Sequence, residues 1–94
     1  MKDITVHINS VHGSQMAAKI NGVFFIDENK FRFHAIAFGR IGGHNIGVKI
    51  SEHTESVLIK LGYNIAEVIE KLQRKLIEGK INLPKNIRKE FFAD

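Results

Sequence analysis

The chain has no cysteine, no tryptophan and a single proline. Without cysteine there is no disulfide and no thiolate to hold a metal, so the fold must be stabilised by burial and hydrogen bonding. This composition suits a reducing compartment. No stretch approaches the roughly 18 apolar residues of a membrane span. The opening Met1-Lys2-Asp3-Ile4-Thr5-Val6 is charged and alternating, unlike the apolar core of a signal peptide. A cytoplasmic protein without a membrane partner is expected.

Catalytic and cofactor signatures are also missing. The five histidines, His7, His12, His34, His44 and His53, form no H-x-x-x-H pair on a helix. They offer no set of three or four converging zinc ligands. Ser10, Ser14, Ser51 and Ser56 sit in no G-x-S-x-G elbow. The nucleotide motifs G-x-x-x-x-G-K-[ST] and G-x-G-x-x-G do not occur. The expectation is therefore a protein that is not an enzyme, with no catalytic residues, no metal and no cofactor.

At 94 residues the chain makes one domain, 1–94. A chain this short buries only roughly 60–65% of the surface its unfolded form exposes. Self-association is the common way to enlarge so small a core, and a homo-oligomer, a dimer or larger, is expected. The formal net charge is +4 and the isoelectric point is near 9.6, a modest electrostatic footprint for a polyanion. In the second half the basic residues alternate with Glu67, Glu70, Glu78 and Glu90, as on a solvated helical face.

The first half reads as β structure. Ile4, Val6 and Ile8 alternate with Thr5, His7 and Asn9. Val11 to Gln15 reads as a turn or loop, and Met16 to Asp27 as a second extended run. Asn21-Gly22 is a strong hairpin signal that would interrupt this run, and Asp27 to Lys30 is a second turn candidate. Val23-Phe24-Phe25-Ile26 reads as a strand covered on both faces. From Phe31 to Phe38, one face carries Phe31, Phe33, Ala35 and Ala37. The other carries Arg32, His34, Ile36 and Phe38, whose apolar end calls for cover by a helix or a partner subunit. Lys30 and Arg32 alternate with Phe31 and Phe33 in the manner of nucleic-acid-binding sheets. The strand period, however, puts these phenylalanines opposite Arg32, which favours core packing.

Gly39 to His44 is the one glycine-rich loop. Its backbone N–H groups can form an anion nest, with Arg40 and His44 as added donors and Gly42 and Gly43 supplying the flexibility. Alternatively it is only a tight connection between strands. Asn45 to Ser51 reads as a further strand. Ser51 is an N-cap for a helix to about Leu61, with Val57, Leu58 and Leu61 toward the core and Gly62 as its stop. Asn64-Ile65-Ala66-Glu67 resembles a capping box. After it Ile65, Val68, Ile69, Leu72 and Leu76 recur as an amphipathic stripe that ends at Gly79. Leu83-Pro84 opens a last short helix carrying Ile87, Phe91 and Phe92. The expected fold is α+β: an antiparallel sheet of about four strands over residues 3–51, then two or three helices over 52–92 packed on one face.

Val48-Lys49-Ile50-Ser51-Glu52, followed by Leu61-Gly62-Tyr63-Asn64-Ile65-Ala66-Glu67-Val68-Ile69, resembles the ribbon-helix-helix family of DNA-binding proteins. The resemblance covers residues 45–79. It implies a strand paired with that of a second chain to form a ribbon in the DNA major groove. Asn45, Gly47 and Lys49 would then face the groove, and the amides around Asn64 to Glu67 a phosphate. The leading expectation is a small DNA-binding regulator: Asn45 and Lys49 read bases, while Arg40, His44 and the Asn64 helix start hold phosphate. The alternative is a small inhibitor or sequestering protein of the phage or mobile-element type. It would bind a host protein or an anionic, nucleotide-like small molecule, with Arg32, Arg40 and His44 lining the site. A structural assembly subunit is a third possibility.

Overall fold

The computed structural model describes residues 3–13, 17–38 and 46–83. Its elements are β1 (Ile4–Gly13), β2 (Ala17–Ile26), β3 (Asn29–Phe38), β4 (Ile46–Lys49), α1 (Glu52–Lys60) and α2 (Ile65–Glu78). The strands form one antiparallel sheet in the order β1-β2-β3-β4. The helices follow, as expected for an α+β chain with its helices on one side of the sheet. The expected helix beyond Leu83, the expected Gly39–His44 loop and the expected strand start at Asn45 lie outside the described residues.

Strand alternation builds the core. Ile4, Val6 and Ile8 of β1, Ala18, Ile20, Phe24 and Ile26 of β2, and Phe33, Ala35 and Ala37 of β3 are buried with Ile46 and Val48 of β4. Leu58 of α1 and Val68, Leu72 and Leu76 of α2 close over them. Phe31 also packs against this cluster, so both phenylalanines beside Arg32 serve the core. Phe24 lies against both, with ring centroids 5.3 Å from Phe31 and 6.3 Å from Phe33.

The Asn21-Gly22 pair does not turn the chain, contrary to its local signal. β2 runs through it without a break, pairing Asn21 with Ser10 and His34, and Gly22 with Ile8 and Phe33. Glycine is required there for packing. A Cβ on Gly22 would fall 2.5 Å from the His7 carbonyl oxygen and 2.8 Å from the Phe33 ring. The hairpin turn lies at Asp27-Glu28, where Asp27 adopts φ 56°, a conformation aspartate tolerates better than most residues. The expected turn from Val11 also starts too early, because β1 continues to Gly13. Asn9 forms a bulge between Ile8 and Ser10. The extra residue flips the alternation: Val11 turns toward the core, while Ser10 and His12 join the opposite face.

The helix ends follow their caps. Ser51 Oγ accepts from the Thr54 amide at 3.1 Å, and Asn64 Oδ1 from the Glu67 amide at 3.2 Å. After α1 the Gly62 amide donates to Ile59 and the Tyr63 amide to Leu58, with Gly62 at φ 90°. This is the glycine-stopped ending that satisfies the last carbonyls. Leu61 corrects the expected core list. It is 48% exposed, because the α1 stripe toward the core runs through Thr54 and Leu58 and the chain turns away at Leu61.

Ties across layers fix the helices relative to the strands. Lys75 Nζ meets the Asp3 carboxylate at 3.0 Å; this hydrogen bond, with one from the Ile4 amide, holds Asp3 below the ordinary carboxylate pKa. Gln73 Nε2 donates to the Ile46 carbonyl at 3.4 Å. After α2 the chain returns to β1, where Asn82 exchanges backbone hydrogen bonds with Val6 and Ile8 and pairs with that sheet edge at His7. The Tyr63 hydroxyl donates to the Asp27 carboxylate, joining the α1–α2 turn to the β2–β3 turn.

Two outcomes are expected. Gly22→Ala should lower the urea midpoint by the equivalent of about 1–3 kcal/mol through overpacking. Gly47→Ala, where an added Cβ meets nothing within 4 Å, should leave stability equal or raise it by roughly 0.5–1 kcal/mol. Equal losses at both sites would show that the Phe33 contact does not matter. The second outcome concerns alkaline pH. The hydrogen bond to Asp27 raises the Tyr63 pKa above its ordinary value. The stabilisation is therefore fully present below the unfolded tyrosine value of about 10 and is lost as pH rises through the higher folded value. Tyr63→Phe should be less stable than wild type at neutral pH, and the difference between the two should vanish in strongly alkaline urea titrations.

Candidate nucleic-acid interface

The sheet face away from the helices follows from the same alternation. Register aligns its side chains in rows: Thr5, Phe25 and Lys30; His7, Val23 and Arg32; Ser10, Asn21, His34 and Lys49; His12, Lys19, Ile36 and Gly47. Phe38 lies beyond, paired with Ala17. Among the described residues, no helix or strand covers this face.

The face carries no carboxylate among its described residues, whereas Lys19, Lys30, Arg32 and Lys49 give it fixed positive charge. The described acidic residues lie elsewhere. Asp27 and Glu28 form the β2–β3 turn, Glu52 and Glu55 lie on α1, and Glu67, Glu70 and Glu78 on α2. Asp3 is bound to Lys75 of α2. Glu70 pairs with Arg74 at 2.8 Å and Glu78 with Lys80 at 3.0 Å, so the helical layer offsets its own charges. A surface of one sign attracts polyanions and speeds their encounter.

The third row is a chain of hydrogen bonds. Asn21 Nδ2 donates to Ser10 Oγ at 3.2 Å, and its Oδ1 lies 2.6 Å from His34 Nδ1. With the amide oriented this way, His34 donates from Nδ1, and its Nε2 takes no part in the row. His7 packs edge-on against Phe25 at 5.3 Å, and its Nε2 accepts from Asn82 Nδ2 at 3.3 Å. Ile36 and Phe38 are 39% and 60% exposed. With Gly47 and Val48 they line an apolar depression of about 230 Å³ that His34 and Lys49 border. The expected cover for this end of β3 is not supplied by the described residues.

Of the residues expected to bind, the structure brings Arg32 and Lys49 together. They lie on adjacent strands of this face, with His34 directly opposite Lys49. Asn64 is elsewhere: it caps α2 in the helical layer, next to Tyr63 and the β2–β3 turn. Arg40, Gly42, Gly43, His44 and Asn45 lie outside the described residues. Sequence reasoning passed over Lys19, Asn21, Ser10 and Phe25 as members of the face. A signal was present, since between Ile4 and Ser51 the only acidic residues are Asp27 and Glu28.

Comparison with protein-family models, curated proteins and solved structures finds no match to this chain.

Proposed function

We propose that the protein is a non-enzymatic regulator that binds single-stranded nucleic acid along the helix-free face of its sheet. The observation that carries this reading is the segregation of charge. Lys19, Lys30, Arg32 and Lys49 share a face with Phe25, Phe38 and three histidines, and no described carboxylate interrupts them. Basic side chains that track the backbone, together with aromatic rings that stack on bases, are the chemistry of sequence-tolerant single-strand binding.

The breadth of the sheet favours single strands over duplex. The ribbon-helix-helix resemblance implies a strand paired with that of a second chain; Gly47 and Lys49 lie on the helix-free face. A two-stranded ribbon fits a major groove about 12 Å wide. Here β4 is already paired with β3, and four strands spaced about 4.8 Å apart span more than that groove. The same strands form a platform on which unpaired bases can lie.

The outer edge of β4 pairs with no strand among the described residues, and the Ile36–Phe38 depression lies beside it. A second copy joining at this edge would extend the basic face across the assembly.

Full-length protein should bind DNA or RNA oligonucleotides with an affinity that falls with salt, at a logarithmic slope of about −3 if these four cations each neutralise a phosphate. Lys49→Ala should reduce the slope by about 0.7. Phe38→Ala should weaken binding by roughly 1–3 kcal/mol with the slope intact. Absence of binding to either polymer at low salt would reject the reading. Sedimentation equilibrium at tens of micromolar should give at least twice the 10.6 kDa chain mass; a monomer there removes the assembly.

A further inference from the structure

β4 covers only half of β3. Its pairing begins at His34, so Asn29 to Phe33 have no strand on that side among the described residues. The chain leaves β4 at Lys49 and enters α1, which runs beside this exposed edge. A cleft of about 640 Å³ separates them, lined by Asn29, Lys30, Phe31, Arg32 and His34 on one side and Ser51, His53, Thr54 and Val57 on the other. This volume lies within the range of small-molecule sites. Among the described residues that line it, the charged and titratable side chains are two cations and two imidazoles, again without a carboxylate.

Resting on the single-strand reading, we propose that this cleft binds the terminal phosphomonoester of a nucleic-acid strand lying on the sheet. Two features point to an end rather than an internal linkage. The row of His7, Val23 and Arg32 leads across the sheet to the cleft, where among the described residues Arg32 faces the α1 wall and no fourth strand. A strand following that row must stop or leave the sheet there. A monoester also carries a charge of about −1.5 to −2 and three acceptor oxygens, against the single charge of an internal diester. Arg32 offers a bidentate fork, Lys30 lies two residues away on the same face, and His53 approaches from the opposite wall. The Ser51 Oγ and the Thr54 amide already satisfy each other in the helix cap, so recognition falls to the basic side chains.

The experiment compares an oligothymidylate of about ten nucleotides bearing a 5′-phosphate, a 3′-phosphate or hydroxyls at both ends. Each is titrated by fluorescence anisotropy against the full chain, with the dye attached internally. One phosphorylated form should bind about tenfold tighter or more, the gain expected of hydrogen bonds to a charged group. The form that gains identifies which end enters. His53→Ala should reduce the preference while binding of the hydroxyl-ended strand is unchanged. His53→Glu places a carboxylate in the cleft at a helix position where acidic residues are stabilising, and should abolish or reverse the preference. Equal binding of all three strands, or a preference that survives His53→Glu, overturns the cleft assignment and leaves the single-strand reading standing. Failure of every strand to bind removes both.

Discussion

The contact between Gly22 and the Phe33 ring fixes much of what lies around it. A one-residue slip between β2 and β3 would put a side chain where the ring sits and would exchange the two faces of the sheet. The observed register lets the ring lie over bare backbone and directs Phe24 and Ile26 inward with it. The bulge at Asn9 works with this contact. It lets β1 follow β2 on both sides of Gly22 while switching which of its side chains face the core.

The distribution of charge follows from that register. Once Phe31, Phe33, Ala35 and Ala37 are committed to the core side, Lys30, Arg32 and His34 have only the other side. Asn21 and Ser10 then fall in one row with His34, and Asn21 bridges the other two. Among the described residues the carboxylates lie in the β2–β3 turn, on the helices or, for Asp3, just before β1, and Asp3, Glu70 and Glu78 meet lysine or arginine. A modest net charge of +4 thereby becomes a face of one sign. Composition suggests only weak attraction for polyanions; the geometry concentrates it.

Among the described residues the helical layer completes the core from one side and leaves the other untouched. α2 spans the sheet from β4, through Gln73, to the start of β1, through Lys75, and the chain after it pairs with β1 at His7. α1 has fewer ties. It reaches the sheet through the buried Leu58 and, just past its end, the Tyr63 bond to Asp27. This arrangement opens the cleft along the uncovered half of β3.

Local signals in the sequence determined the elements: alternation for the strands, the Val68-Leu72-Leu76 stripe for α2, Ser51 and Asn64 as caps, and Gly62 and Gly79 as stops. They also placed Phe31 and Phe33 opposite Arg32, because the strand period is a property of the chain alone. Tertiary structure decided the rest. Asn21-Gly22 has the local chemistry of a turn, yet it lies mid-strand, because the space its neighbours require is set by Phe33, distant in sequence. Leu61 looks like a core residue by spacing, but the chain turns away there. Beyond Arg32, His34 and Lys49, the candidate face was legible only as a scarcity of acids between Ile4 and Ser51. Which lysines share that face, and which side chains bridge between strands, depends on the register of residues far apart in the chain, and periodicity within one strand carries no information about its alignment with the next.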